Sequence, residues 1–271
     1  MSENSSSRRT IIITVSVIAA VLVLSWIGSL LPKPLSTPHA SSSARASIRP
    51  TPVASASATP TPTPTPTPTG PANGGVIDET GAGFTAMLEQ LPVDDAVHDG
   101  YERDLFKHWT DADHDGCDTR AEVLMLEALS AVTHGSTCAV KEGSWWSSYD
   151  NLTYTIASQL DVDHMVPLAE AWRSGAYAWS ASRREAYAND LGYEYSLVAV
   201  SASSNRSKSD QDPAQWMPRF TDIACSYAAE WVGVKFRWTL SVDSAERGAL
   251  TRILSGCGSI AVTLPTAAPS N

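Results

Sequence analysis

The residue types in this chain best suited to hydrolytic chemistry are a histidine among carboxylates and a separate basic motif led by an asparagine. The first lies in Leu160-Asp161-Val162-Asp163-His164-Met165-Val166-Pro167, the second in Ser204-Asn205-Arg206-Ser207-Lys208-Ser209-Asp210. Alternate positions of an extended strand share a face, so Asp161 and Asp163 would sit together and His164 would project the other way unless the strand ends there. Pro167 encourages that ending, because the residue before a proline avoids helix and proline has no N–H for a ladder. A strand end carrying carboxylates and an imidazole is a place to bind a metal and activate water. Alone, a histidine beside an aspartate is more often a hydrogen-bonded pair than a catalyst; the second motif reverses that preference.

Together and in this order, the two motifs resemble HNH endonucleases of the ββα-metal type, and both also occur in the HNH domain of RNA-guided CRISPR nucleases. A closer resemblance is to secreted or surface actinobacterial HNH-family proteins, which share the nuclease domain at the C-terminus of GmrSD-type restriction enzymes. It runs from about Tyr101 to Cys257 and includes Cys117-Asp118-Thr119-Arg120, Gly143-Ser144-Trp145 and Asp210-Gln211-Asp212-Pro213. The resemblance implies an α+β fold, with a ββα-metal core and additional helices.

It also implies roles. His164 would take a proton from the attacking water, as an imidazole with an ordinary pKa of about 6.5 can near neutral pH. Asp163 and Asn205 would bind one divalent cation, and oxygen ligands favour Mg²⁺ or Mn²⁺. Asp161 would join the metal site by holding a water or orienting a neighbour. Arg206 and Lys208 are expected as phosphate contacts, with Arg120 as a third. The structural alternatives are a solvated loop for Arg206 and Lys208 and a salt bridge for Arg120. Two other classes stay open: an inactive envelope binding module that kept the fold, and a calcium-dependent surface protein. The intact Asp163, His164 and Asn205 favour the enzyme.

The calcium alternative arises from Asp111-Ala112-Asp113-His114-Asp115-Gly116 followed by Glu122. Acids at positions 1, 3, 5 and 12 with glycine at 6 match the calcium loop of an EF-hand, a candidate structural Ca²⁺ site. Against it, Cys117 is a candidate for a disulfide and no clear helix enters the loop. The competing reading is a solvated acidic turn.

These residues need elements to position them. Apolar periodicity predicts a helix over Thr119–Val132, and Ser182-x-x-Glu185 reads as a capping box for a helix ending near Leu191. Helices are also expected over Phe220–Val232 and Asp243–Leu254, and short strands at Leu160–Val162 and Ser196–Val200. The interval from Leu168 to Leu191 reads as a helical insertion. Tryptophans 145, 146, 172, 179, 216, 231 and 238 are expected to supply much of the core. Cys117, Cys138, Cys225 and Cys257 allow three pairings; Cys117–Cys138 and Cys225–Cys257 are favoured because each would tie the ends of a helical segment. None has the close spacing of a zinc knuckle.

The front of the chain bears on location. Residues 1–10 contain Arg8 and Arg9, and 11–31 carry no charge. About 20 apolar residues suffice to cross a bilayer, and flanking arginines place the N-terminus in the cytoplasm. A transmembrane signal anchor is favoured over a cleaved signal peptide, so the remainder is expected outside the cell, tethered or secreted. Residues 32–75 are a disordered Ser/Thr/Pro-rich linker, 76–264 one nuclease domain and 265–271 a flexible tail. The formal net charge of −10 is unusual for a protein that binds a polyanion. Acids cluster from Asp94 to Glu122, however, while Arg173, Arg183, Arg184, Arg206, Lys208 and Arg219 surround the catalytic segment and leave room for a local basic face. Salt-sensitive, largely sequence-nonspecific binding, to DNA more than RNA, is the expectation.

Overall fold

A computed structural model describes residues 78–269. The predicted membrane span and linker lie outside the described residues; among these no helix is long and apolar enough to cross a membrane. The fold mixes helices and strands. Helix α1 (Gly81–Glu89) begins at Thr80, whose side chain accepts from the Gly83 N–H, and is followed by a 3₁₀ turn at Arg103–Leu105 and α2 (Thr119–Leu126). Strands β1 (Thr133–His134), β2 (Val140–Ser147) and β3 (Leu152–Ile156) form an antiparallel three-stranded sheet in the order β1-β2-β3. Strand β4 (Leu160–His164) leads through α3 (Leu168–Arg173) and α4 (Ala181–Ala188) to β5 (Leu197–Ser201), α5 (Ala202–Lys208), α6 (Ala224–Trp238) and α7 (Ser244–Leu254).

Strands β4 and β5 pair antiparallel, with Asp161 opposite Val200 and Asp163 opposite Val198. This two-residue alternation sends the two faces to different cores. Leu160, Val162, Leu197 and Ala199 pack against Val123, Leu124 and Trp145 from α2 and β2, while Val200 belongs to the larger core built on α1, α6 and α7. Ser201 ends β5 and caps α5 by accepting from the Ser204 N–H, so the chain passes from strand to helix with no loop.

Several elements differ from the sequence expectation. Helix α2 stops at Leu126 because the chain then joins β2, with the Leu129 N–H donating to the Ser144 carbonyl. Helix α4 is capped by Ser180, not Ser182, and α6 runs on to Trp238 before Thr239 takes a left-handed conformation at φ 57°. The Asp243/Glu246 capping box of α7 is present. Trp146 is 42% exposed, whereas Trp145, Trp231 and Trp238 are buried. Within the segment expected as a flexible tail, Arg237 donates to the carbonyls of Thr266 at 2.6 Å and Ala267 at 3.2 Å.

Both favoured disulfides form. Cys117–Cys138 spans α2 and Cys225–Cys257 joins the start of α6 to the chain beyond α7. A buried ionic centre holds the larger core: Lys235 Nζ donates to Glu170 at 2.8 Å, Glu246 at 2.6 Å and Ser174 at 2.9 Å. Arg237 binds both oxygens of Asp190 at 2.8 and 2.9 Å, and Trp238 Nε1 donates to the same carboxylate.

Candidate active site

Asp163, His164 and Asn205 line one cleft of ≈ 840 Å³. The first two come from the end of β4, and Asn205 comes from α5, which Ser201 starts at a fixed point beside that strand. Arg206 also lines the cleft, and the upstream segment from Val97 to Tyr101, with Arg103, forms another part of its wall.

His164 is buried and its Nε2 lies 3.0 Å from the Ala188 carbonyl oxygen. A carbonyl can only accept, so Nε2 carries the hydrogen and Nδ1 of the neutral ring is left with its lone pair. Its ring stacks on Trp109 at 5.4 Å. Burial pushes its pKa down to about 3, helped by the charges of Arg103 and Lys208 and opposed by the Ala188 hydrogen bond. The imidazole is therefore neutral near pH 7, but the ordinary pKa expected from its sequence is not kept. So weak a base takes a proton only where a developing negative charge in the site offsets the cost.

Asp163 Oδ2 accepts from the Tyr149 hydroxyl at 2.7 Å and from Lys208 Nζ at 2.5 Å. Among the described residues nothing donates to its Oδ1. Burial pushes the carboxyl up, and the Lys208 ammonium pulls it back down. Lys208 itself is fully buried and also donates to the carbonyls of His164 and Met165, both at 2.9 Å. That corrects its expected role: all three of its donors are engaged in positioning the end of β4, and none reaches a phosphate. Asn205 Nδ2 donates to Asp161 Oδ2 at 3.3 Å, which leaves the amide oxygen as its remaining acceptor. Asp161 thus orients Asn205, sits 3.8 Å from Arg206 and is not part of the cleft wall.

Arg120 is also reassigned by its position. Its guanidinium donates to the Ala157 and Leu160 carbonyls at 3.4 and 3.2 Å, holding α2 to the start of β4, away from the cleft. Much of the expected basic cluster is structural too: Arg183 lies 4.7 Å over the Trp179 ring, and Arg184 donates to the Leu105 carbonyl at 3.1 Å. Tyr149 and the cleft residue Arg103 were missed from sequence, because neither lies in a motif and only the folded chain brings them to β4.

In the acidic loop, one oxygen from each of Asp111, Asp113 and Asp115 lies within 4.8 Å of the others. Gly116 adopts φ 92°, a conformation that favours glycine, and its N–H donates to Asp111 Oδ2 at 3.0 Å. Asp111 Oδ1 is buried without a hydrogen-bond partner. Glu122 does not join that cluster, but burial and then the charges of Asp113, Asp115 and Asp111 raise its pKa.

The family described as GmrSD restriction endonucleases, C-terminal domain, matches residues 117–253, which hold Tyr149, Asp161, Asp163, His164, Asn205, Arg206 and Lys208 but not the upstream cleft wall, Trp109 or the loop acids 111–115. The chain belongs to this family. Membership in the GmrSD C-terminal family supports a nuclease-type function. A protein of Arthroderma benhamiae (strain ATCC MYA-4681 / CBS 112371), described as an uncharacterized secreted protein, is 45% identical over 159 residues, covering 59% of this chain and 76% of that protein. No solved structure matches the chain significantly.

Proposed function

We propose that this chain is a metal-dependent HNH-type endonuclease that hydrolyses phosphodiesters outside the cytoplasm, acting on DNA more than RNA and with low sequence specificity. The observation that carries the reading is the convergence on one cleft of a neutral His164 with a free Nδ1 and two oxygen donors, from Asp163 and Asn205. The succession β4, β5, α5 supports a ββα-metal core, with α3 and α4 inserted between its strands.

The donor set fits a hard divalent cation. Asp163 keeps one carboxylate oxygen without a hydrogen bond, and Asn205 has its amide oxygen unengaged. Mg²⁺ or Mn²⁺ held there would supply Lewis acidity to the phosphate and stabilise the leaving oxygen. His164 Nδ1 accepts a proton from water as the water oxygen bonds to phosphorus and the bond to the leaving oxygen breaks. Arg206, 76% exposed on the cleft wall, contacts a phosphate of the substrate.

Two disulfides and a relative described as secreted support an extracytoplasmic site of action. Residues 11–31 would tether the domain to the membrane and 32–75 would space it from the surface. Asp111, Asp113 and Asp115 would hold a structural Ca²⁺, supported by the orphaned Asp111 oxygen, while Glu122, the fourth expected acid, stands outside their cluster. If so, millimolar Ca²⁺ should raise the unfolding temperature of the protein, and Asp111→Ala should remove the increase.

The deciding experiment is plasmid nicking by the full chain with its disulfides intact, in Mg²⁺, Mn²⁺, Ca²⁺ or EDTA. Cleavage should require Mg²⁺ or Mn²⁺, and His164→Ala should abolish it without unfolding the protein. A folded wild-type chain that cuts neither DNA nor RNA in any metal would overturn the nuclease reading in favour of a binding module.

A further inference from the structure

The wall of the cleft contributed by the segment before residue 117 has a feature that the two motifs do not account for. Three arginines line the cleft, and two have carboxylate neighbours. Arg173 is held by Glu170 at 3.0 Å and Asp210 at 2.8 Å, and Arg206 lies 3.8 Å from Asp161. Arg103 pairs with no carboxylate among the described residues; Asp99 shares the cleft wall but forms no ion pair with it.

What holds Arg103 is a neutral acceptor. His108 Nδ1 lies 2.9 Å from the Phe106 carbonyl and so carries the ring hydrogen, which leaves Nε2 to accept from Arg103 Nη2 at 3.4 Å. The backbone under Arg103 is pinned as well. Phe106 is buried against Trp172 and Tyr187, its N–H donates to the Arg103 carbonyl at 3.0 Å, and Arg184 donates to the Leu105 carbonyl. His108 in turn packs edge-on against Trp109, the ring that stacks on His164. An exposed guanidinium is thus aimed by a rigid turn into the cleft that holds His164, with most of its five N–H donors unengaged.

We propose that Arg103, oriented by His108, is a phosphate-binding residue of this cleft and grips the backbone of the nucleic-acid substrate from the wall formed by the upstream segment. The assignment rests on the nuclease reading, and it places a substrate contact outside the span 117–253 that matches the family. A guanidinium without an internal carboxylate gives its charge and its fork of donors to a phosphate with no ion pair to break first. Each phosphate neutralised by a protein cation steepens the salt dependence of binding, by about 0.9 in the slope of log K against log salt for duplex DNA.

The test measures binding of a labelled 20-base-pair DNA to the full-length protein in EDTA, across about 50–200 mM salt, where counterion release is readily measured. Wild type is compared with Arg103→Gln, Arg103→Lys and Lys107→Ala; the last removes a nearby charge that pairs with Glu185 and does not line the cleft. Arg103→Gln should weaken binding about tenfold at the lowest salt and lower the slope by about 0.9. Arg103→Lys should keep the slope, and Lys107→Ala should match wild type. An Arg103→Gln slope equal to wild type, in a protein that binds DNA, overturns the Arg103 assignment alone. A wild-type chain that neither binds nor cuts nucleic acid overturns this assignment and the nuclease reading together.

Discussion

At the scale of single residues, the cleft depends on keeping one face of each functional group free while fixing the other. His164 donates one nitrogen to the Ala188 carbonyl and leaves the other open, and Asp163 gives one oxygen to Tyr149 and Lys208. Tyr149→Phe removes one donor from that carboxylate and little else. Loss of such an outer contact typically weakens metal affinity about 10–100-fold, so cleavage by Tyr149→Phe should need that much more Mn²⁺ to reach half its maximum. A metal titration with unchanged midpoint would contradict the positioning role. Lys235→Met tests a different kind of residue. One ammonium there serves Glu170 and Glu246, and removing a partner from a buried ion pair costs about 3–5 kcal/mol. Denaturant unfolding should register a loss of that size.

At the scale of elements, the site is a strand end brought against a helix, and both are fastened from behind. Arg120 on α2 clamps the carbonyls that lead into β4, and the Cys117–Cys138 disulfide ties the chain on either side of α2. Replacing both cysteines with serine should lower stability by about 2–4 kcal/mol, as for a cross-link closing a loop of this length. Cleavage by the fraction still folded should persist, since neither cysteine lines the cleft; thermal melts beside single-turnover assays separate the two effects. The capping box of α7 and the strand character of β4 and β5 were legible because they are local. Caps follow from residues three apart, and strands from β-branched runs. The β2–β3 hairpin was not legible, because its Gly143-Ser144-Trp145-Trp146 stretch has no clean alternation and its register shifts between Glu142 and Trp145.

At the scale of the whole molecule, an excess of carboxylates has been folded into partly buried positions. Burial, opposed by the Ala199 N–H, pushes Glu127 up to about 7; burial and then the charges of Glu127 and Glu194 push Glu230 up to about 8. A carboxyl with a raised folded pKa binds its proton more tightly in the native state. Its contribution is complete below the ordinary value of 4.5 and is lost as pH rises through 7 and 8. The unfolding free energy should therefore fall between pH 6.5 and 9, above the range in which the buried His164 acts with the opposite sign, and Glu230→Gln should flatten that slope. A stability profile rising over this range would refute the assignment. The same acidic total is what makes a local concentration of cations matter at the cleft.

The amino-acid sequence determined the family and singled out Asp163, His164 and Asn205 as candidates, because those residues sit in two contiguous motifs whose order survives without any knowledge of the fold. It favoured the two cysteine pairs that form while leaving three pairings open, and the structure made the choice. Only the tertiary structure decided what the cations do. Lys208, Arg120 and Arg184 are indistinguishable in sequence from phosphate ligands, yet each is consumed by backbone carbonyls or a buried carboxylate. Arg103 lies in no motif and reaches the cleft because Phe106 anchors its turn. Charge type is a property of the residue; whether that charge faces a substrate or the protein's own carbonyls is set by contacts between distant segments, and no local pattern encodes them.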